Sequence, residues 1–407
     1  MDKDERKENI EEEQEKIEEN EELDEIESEE EFTYTLDNNS NGNNGGYEKN
    51  SYIYILVGFV ILLIIIVTLV VVANNKTKKV SGYSDVESRM VSAAKKYYEK
   101  YPEQLPQMEN VPMSIDAEKL VQSSFLKPFS EMVKEDVQCT GQVKVYKSDD
   151  MYSYFPYLNC GTTYKSAKLK DKIIEENLAT DGNGLYKIDN EYVFRGEYPN
   201  NYVKFNSEIW RIIKINEDGS IKLMQVEKKP EKVVWDDRYN NERSGNTGKN
   251  DFRVSRILDE LKESYNTNKY VNKENKELLV KKNWCIGKAL ESNMEISSLD
   301  VCNDQYEDLY IGLLTIDEVL IPSLDANCKN IYDGACTNYN YFTGINVGWT
   351  LTTGQQKTYT VFSALRGSID VKNASISNVI RPVVNINSDV LYKTGDGTEK
   401  SPYVIGK

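Results

Sequence analysis

Three groups of residues in this chain are suited to chemistry: a Trp-Asp-Asp triplet, a Tyr-Asn run and six cysteines. Trp235, Asp236 and Asp237 set an aromatic ring beside two carboxylates, a combination that can grip a sugar or a cation. The same triplet also suits a loop brace, with Asp236 and Asp237 capping backbone amides and Trp235 packed beneath them. Thr337–Tyr341 reads TNYNY and places Asn338, Tyr339, Asn340 and Tyr341 in alternation directly after Cys336. Tyr and Asn make adaptable contacts when a loop carries them to the surface. In a chain with 28 tyrosines such a run can equally be plain surface. These seven residues form the candidate ligand-binding set.

The absences are as informative. With no histidine anywhere, the usual general base near neutral pH and the commonest metal ligand are both missing. Ser-His-Asp and Cys-His nucleophiles and HExxH zinc sites are therefore excluded. No CxxC pair supports a structural zinc. We expect no metal, no cofactor and no assembled catalytic site, although paired carboxylates could still serve a glycosidase. The net charge of −17 is unevenly spread: residues 1–50 hold 20 acids against 5 bases, and the other 357 residues are within two charges of neutral. Nothing resembles the clustered basic surface that nucleic acid requires.

All six cysteines, Cys139, Cys160, Cys285, Cys302, Cys328 and Cys336, lie in the C-terminal two thirds of the chain. An even count confined in this way suits disulfides in an oxidising compartment; six buried free thiols in a cytosolic domain are the alternative. Sequence neighbours give the simplest pairing, Cys139–Cys160, Cys285–Cys302 and Cys328–Cys336, among about 15 possible connectivities.

The elements that must position these residues fall into five stretches. Residues 1–50 are an acidic tail, Glu-rich and then Asn/Gly-rich (NNSNGNNGG, Asn38–Gly46), and read as a disordered cytoplasmic arm. Tyr52–Ala73 is a 22-residue apolar run without charge, long enough for a transmembrane helix. Lys76, Lys78 and Lys79 beyond it favour a cytoplasmic C-terminal side. The segregated cysteines and the lack of a cleavable leader favour the reverse. The expectation is a single-pass cell-membrane protein with its N-terminus inside and its C-terminal domains extracellular.

Residues 83–164 read as a small α+β membrane-proximal domain. Val86, Met90, Val91, Ala94, Tyr97 and Tyr98 predict a helix over Tyr83–Tyr101, and Ser114–Leu126 is predicted as a second. Gly141–Tyr146 and Tyr152–Asn159 alternate as a hairpin with Cys139 and Cys160 at its far ends. After a linker at 165–184, residues 185–407 form a larger, β-rich α+β domain. Strands are expected at Tyr192–Arg195, Tyr202–Phe205, Ile209–Ile215, Ile221–Val226, Gly348–Thr352 and Val379–Ile386, and a helix across Phe252–Tyr265. Trp210, Trp349 and Arg381 read as structural: two core rings, and a guanidinium satisfying carbonyls near the closing strand.

Tyr192–Met224 (YVFRGEYPNNYVKFNSEIWRIIKINEDGSIKLM) resembles the opening of a bacterial surface-domain family, with Trp210-Arg211 in its first hairpin. The resemblance continues through Val233–Asn240, Asp251–Asn266, Ile311–Leu320 and Gly348–Thr353 to Ile380–Ile405. It implies a C-type-lectin-like, or formylglycine-generating-enzyme-like, fold, in which long loops build one irregular surface. The calcium-lectin tripeptides and the paired catalytic cysteines of the formylglycine enzymes are missing. Residues 83–164 also resemble Gram-positive pilin-like modules, without a prepilin cleavage motif. Fold alone carries no function. The expected role is a membrane-anchored surface binding or adhesion protein whose partners are the membrane and an extracellular carbohydrate or protein ligand. The alternatives are a cell-envelope enzyme acting on glycans, and a transmembrane sensor or scaffold using the acidic tail.

Overall fold

Apolar side chains that recur every three or four residues must share one helix face. In the computed structural model, which describes residues 82–134, 136–240 and 247–406, that helix is Tyr83–Lys100. The described residues belong to one compact unit, Lys78–Lys407. Val86, Met90, Ala94, Tyr97 and Tyr98 are buried against a three-stranded antiparallel sheet made of Met113–Asp116, Thr140–Ser148 and Met151–Asn159, in that order. Gly141 allows the close approach, since a Cβ there would stand 2.7 Å from Met90 Cε. The Cys139–Cys160 disulfide closes the hairpin just beyond its last pair, Thr140 opposite Asn159. One expectation changes here: Ser114–Leu126 is not a single helix. Met113–Asp116 pairs with Gln142–Val145, and only Ala117–Gln122 is helical. Edge pairing buries Ile115 beside Val143, which a weakly amphipathic short helix would not achieve.

The rest of the unit is mixed α+β and rich in strand. A nine-stranded sheet runs Ile311–Gly312, Val383–Ile386, Ile221–Gln225, Glu208–Ile215, Tyr202–Phe205, Tyr403–Gly406, Leu391–Thr394. The hairpin Gly184–Ile188/Glu191–Arg195 completes it, through Tyr192 and Val193 opposite Ile215 and Lys214. Tyr403–Gly406 lies parallel to Tyr202–Phe205; every other pairing in this sheet is antiparallel. A four-stranded sheet, Lys288–Ala289, Asn346–Gly354, Thr360–Leu365, Ser368–Asn373, carries Trp349. Trp210, Trp235 and Trp349 are fully buried in one hydrophobic core. The apolar stretch Val379–Ile386 divides at Arg381-Pro382, because proline cannot donate to a ladder. Ser377–Ile380 then pairs with Glu231–Val234, and Val383–Ile386 with Ile221–Gln225. Arg381 spans the break as a structural cation, donating to the carbonyls of Asn346 (2.8 Å), Gln225 (3.2 Å) and Val226 (3.1 Å). Within 165–184, the helix Leu169–Asn177 places Leu169 and Ile173 in this larger core.

The smaller sheet and the larger core meet along a seam of buried charge. Asp389, 2 % exposed, accepts from Tyr146 Oη at 2.6 Å and pairs with Lys144 (3.2 Å) and Lys168 (2.5 Å). Glu87, 1 % exposed, accepts from Tyr164 Oη at 2.9 Å and pairs with Lys393. Ser148 Oγ and Tyr310 Oη lie 2.6 Å apart between the two.

The transmembrane and localisation expectations are corrected. Among the described residues no helix is long and apolar enough to cross a membrane. The longest of them, Tyr83–Lys100, buries one face only and carries Asp85, Arg89, Lys95, Lys96, Glu99 and Lys100 besides Glu87. The apolar run Tyr52–Ala73 and the acidic tail 1–50 lie outside the described residues. A single-pass cell-membrane location is therefore not carried further.

All six cysteines are paired, Cys139–Cys160, Cys285–Cys302 and Cys328–Cys336. Maleimide labelling of the denatured chain should thus add no mass before reduction and six labels after it; a labelled cysteine in the unreduced chain would contradict the pairing. The seam makes a second prediction. Burial by itself raises the Asp389 carboxyl, but hydrogen bonds from Lys168 and Tyr146 and the charge of Lys168 outweigh it and hold it at about 2. A carboxyl whose folded value is depressed adds stability above its unfolded value, and that stability is lost as pH falls through the folded one. Asp389 should therefore contribute about 2 kcal/mol at neutral pH that disappears between about pH 4 and pH 2. Urea unfolding across that window should show Asp389→Asn losing less stability on acidification than wild type; parallel curves would refute the assignment.

Candidate functional site

The seven sequence candidates separate into two places. Trp235 is fully buried, its Nε1 donating to Thr350 O at 3.4 Å and its ring 6.1 Å from that of Phe252. Asp236, also fully buried, accepts from the Arg238 backbone N–H at 3.0 Å and holds the Arg238 guanidinium with both oxygens. Asp237 is exposed and paired with Arg256. Each carboxylate is thus neutralised by its own arginine, and the triplet folds its loop. In the second group, Asn338 and Tyr339 are exposed, with Asn338 Nδ2 donating to Asp325 at 2.7 Å. Asn340 is fully buried, with Nδ2 2.9 Å from the carbonyls of Val319 and Cys336 and Oδ1 accepting from Phe342 N. This amide pins the Tyr341–Gly344 turn, which presents Tyr341.

Tyr341 and Asn340 line a cleft of about 840 Å³ whose other wall is the Glu208–Ile215 strand. Sequence inspection missed the residue at its base. Arg211, 5 % exposed, has its guanidinium carbon 4.1 Å from the centre of the Tyr202 ring and 4.9 Å from that of Tyr341. Sheet register sets the first contact, because Tyr202 and Arg211 are direct cross-strand partners. Ile209, two residues earlier on the same strand face, lines the cleft as well. Desolvated cation–π contacts of this kind are worth about 2 kcal/mol each. Burial lowers the guanidinium from the ordinary arginine value, but an arginine keeps its charge.

The hydrogen bonding of Arg211 is incomplete. Its Nη1 donates to Tyr341 O at 3.4 Å, Nε has no partner, and no carboxylate among the described residues pairs with it. The Tyr341 hydroxyl beside it is buried and also unpartnered. Leaving such a group unsatisfied costs about 1–3 kcal/mol. The other partly or wholly buried arginines without a carboxylate show the contrast. Arg195 donates to Ile321 O (2.9 Å) and Ser323 O (2.6 Å), and Arg381 to three carbonyls. The signal in the sequence was a lone arginine inside the apolar strand EIWRIIKI, where a charge needs a reason.

A second cleft, of about 580 Å³, is lined by Lys214, Lys222, Asp317, Glu318 and Trp284. Its ions answer one another: Glu318 pairs with Lys222 (2.5 Å) and Lys214 (3.6 Å), and Lys214 reaches Glu191 at 2.8 Å. Burial, followed by the neighbouring Glu318 charge, raises the Asp317 carboxyl, whereas the two lysines hold Glu318 down at about 2 against its own burial. Glu318 is thus balanced by the two lysines, while Asp317 Oδ1 is buried without a partner. Among the described residues no group of acids and cysteines is placed to hold a metal ion.

No known protein family matches the chain, and neither a curated protein nor a solved structure does so. The lectin-like resemblance read from the sequence accordingly gains nothing from these comparisons, and the site has to be judged on its own geometry.

Loop bracing by the Trp-Asp-Asp triplet has a direct check. Asp236→Ala removes the buried acceptor of the Arg238 backbone N–H and of its partly exposed guanidinium, and should cost about 1–3 kcal/mol. Asp237→Ala breaks an exposed pair and should cost less than about 1 kcal/mol. Chemical denaturation of the two variants showing equal losses would contradict these roles.

Proposed function

We propose that this chain is a binding protein of an oxidising, extracellular setting, which takes its ligand in the cleft between the Glu208–Ile215 strand and the Tyr341–Gly344 turn. One observation carries the reading: a buried, ring-clamped arginine with unspent donors lines a cleft of about 840 Å³. Binding sites are concave, largely preformed and equipped with a few convergent polar groups, and this one has all three properties. The three disulfides suit the setting. The likeness of Tyr192–Met224 to bacterial surface domains points the same way. An enzyme working through Asp236 and Asp237 is disfavoured, because each carboxylate is held by an arginine and Asp236 is fully buried.

Gly344 lines the cleft, and a Cβ added there meets nothing within 4 Å. Gly344→Trp should therefore fill the cleft without disturbing the fold. On a glycan and peptide array the full chain should retain defined ligands that Gly344→Trp loses by at least about tenfold. A matched bulky change at exposed Val254 should leave binding intact. Array ligands held equally by wild type and Gly344→Trp would remove the cleft from the function.

A further inference from the structure

We infer that the cleft selects a saccharide bearing a single carboxylate, with the carboxylate seated on Arg211; this rests on the cleft being the binding site. The guanidinium presents two donor edges, and protein occupies only one position on them, Nη1 to Tyr341 O. Nε is sealed from solvent, so the donors left to a ligand are the terminal groups, Nη2 beside Nη1, whose N–H bonds match the spacing of two oxygens on one carbon, a geometry that a lysine cannot reproduce. The rings of Tyr202 and Tyr341 fix the plane of the guanidinium, so the edge is preorganised before a ligand arrives.

The surroundings narrow the class. Glu197, Glu227 and Glu399 line the same cleft. Glu197 accepts from the Tyr198 hydroxyl at 2.7 Å, Glu227 accepts from Ile209 N, and Glu399 is exposed with no ion pair among the described residues. Three carboxylates around one arginine repel a dianionic phosphate or a multiply charged acidic peptide more than a single carboxylate, while their oxygens accept readily from hydroxyl groups. One anionic group surrounded by hydroxyls is the chemistry of a uronic or sialic acid. Tyr198, 73 % exposed at the rim, adds a flat face for the C–H side of a sugar ring. A space of about 840 Å³ admits more than one ring.

The test uses the full chain and ligand-observed NMR titration with glucuronate, galacturonate and N-acetylneuraminate, each against glucose, galactose or N-acetylmannosamine as the neutral counterpart. At least one acid should bind tenfold or more tightly than its counterpart. Arg211→Lys should erase that difference. Glu399→Gln, an exposed change that leaves the fold alone, should shift the acid-to-neutral preference two- to fivefold further toward the acid. Equal binding of acid and neutral sugar, abolished for both by Gly344→Trp, would overturn the carboxylate assignment while the cleft remained the binding site. Acid binding that survives both Gly344→Trp and Arg211→Lys would overturn the assignment and the cleft together. Tighter binding of inorganic phosphate or of a peptide C-terminus, or no binding of any acid at millimolar concentration, would also overturn the assignment.

Discussion

The architecture turns on the register of one strand. Glu208–Ile215 pairs with Tyr202–Phe205 on one side and Ile221–Gln225 on the other, and its last residues also pair with Tyr192 and Val193. Side chains on a strand alternate between faces, so the same backbone that sends Trp210 against Phe205 in the core turns Arg211 to the opposite face. A slip by one residue would place a guanidinium where the indole packs. Three partners hold the strand against that slip. Core and cleft are consequently two sides of one constraint, and the arginine is buried because the tryptophan is.

Several buried carboxylates elsewhere in the molecule are balanced by cations. Asp389 faces two lysines and a tyrosine, Glu318 faces two lysines, and Asp236 faces an arginine fork. Each satisfies its neighbours and fixes how two segments meet, a specifying role that apolar packing fills less sharply. Arg211 has no such counter-ion among the described residues, and neither has buried Lys276, which lies 4.2 Å from the centre of the Tyr265 ring. What sets Arg211 apart is its place, since it lines an open cleft.

Local pattern carried much of the fold. The 3.6-residue period marked Tyr83–Lys100, two-residue alternation marked the hairpins, and Arg381 read correctly as a cation spent on carbonyls. Met113–Asp116 was misread because a four-residue edge strand owes its state to the partner that pairs with it. The site was half legible. Asn340 and Tyr341 stood out by type, but their neighbours Asn338 and Tyr339 point elsewhere, since the turn after Asn340 sends alternate residues to different surroundings. Arg211 escaped notice because its meaning lies in Tyr202 and Tyr341, nine residues before it and 130 after it in the chain. The hairpin register holds the first of these neighbours, and nothing in the spacing points to the second.

The parallel pairing of Tyr403 with Val203 has a consequence for how the molecule is assembled. It joins positions 200 residues apart, whereas the three bridges span only 21, 17 and 8. Closing a loop ten times longer costs about 2 kcal/mol more in chain entropy. Every cysteine and its partner precede residue 403 in the chain. Oxidation can therefore proceed by proximity alone, and the large sheet is completed around links that are already fixed.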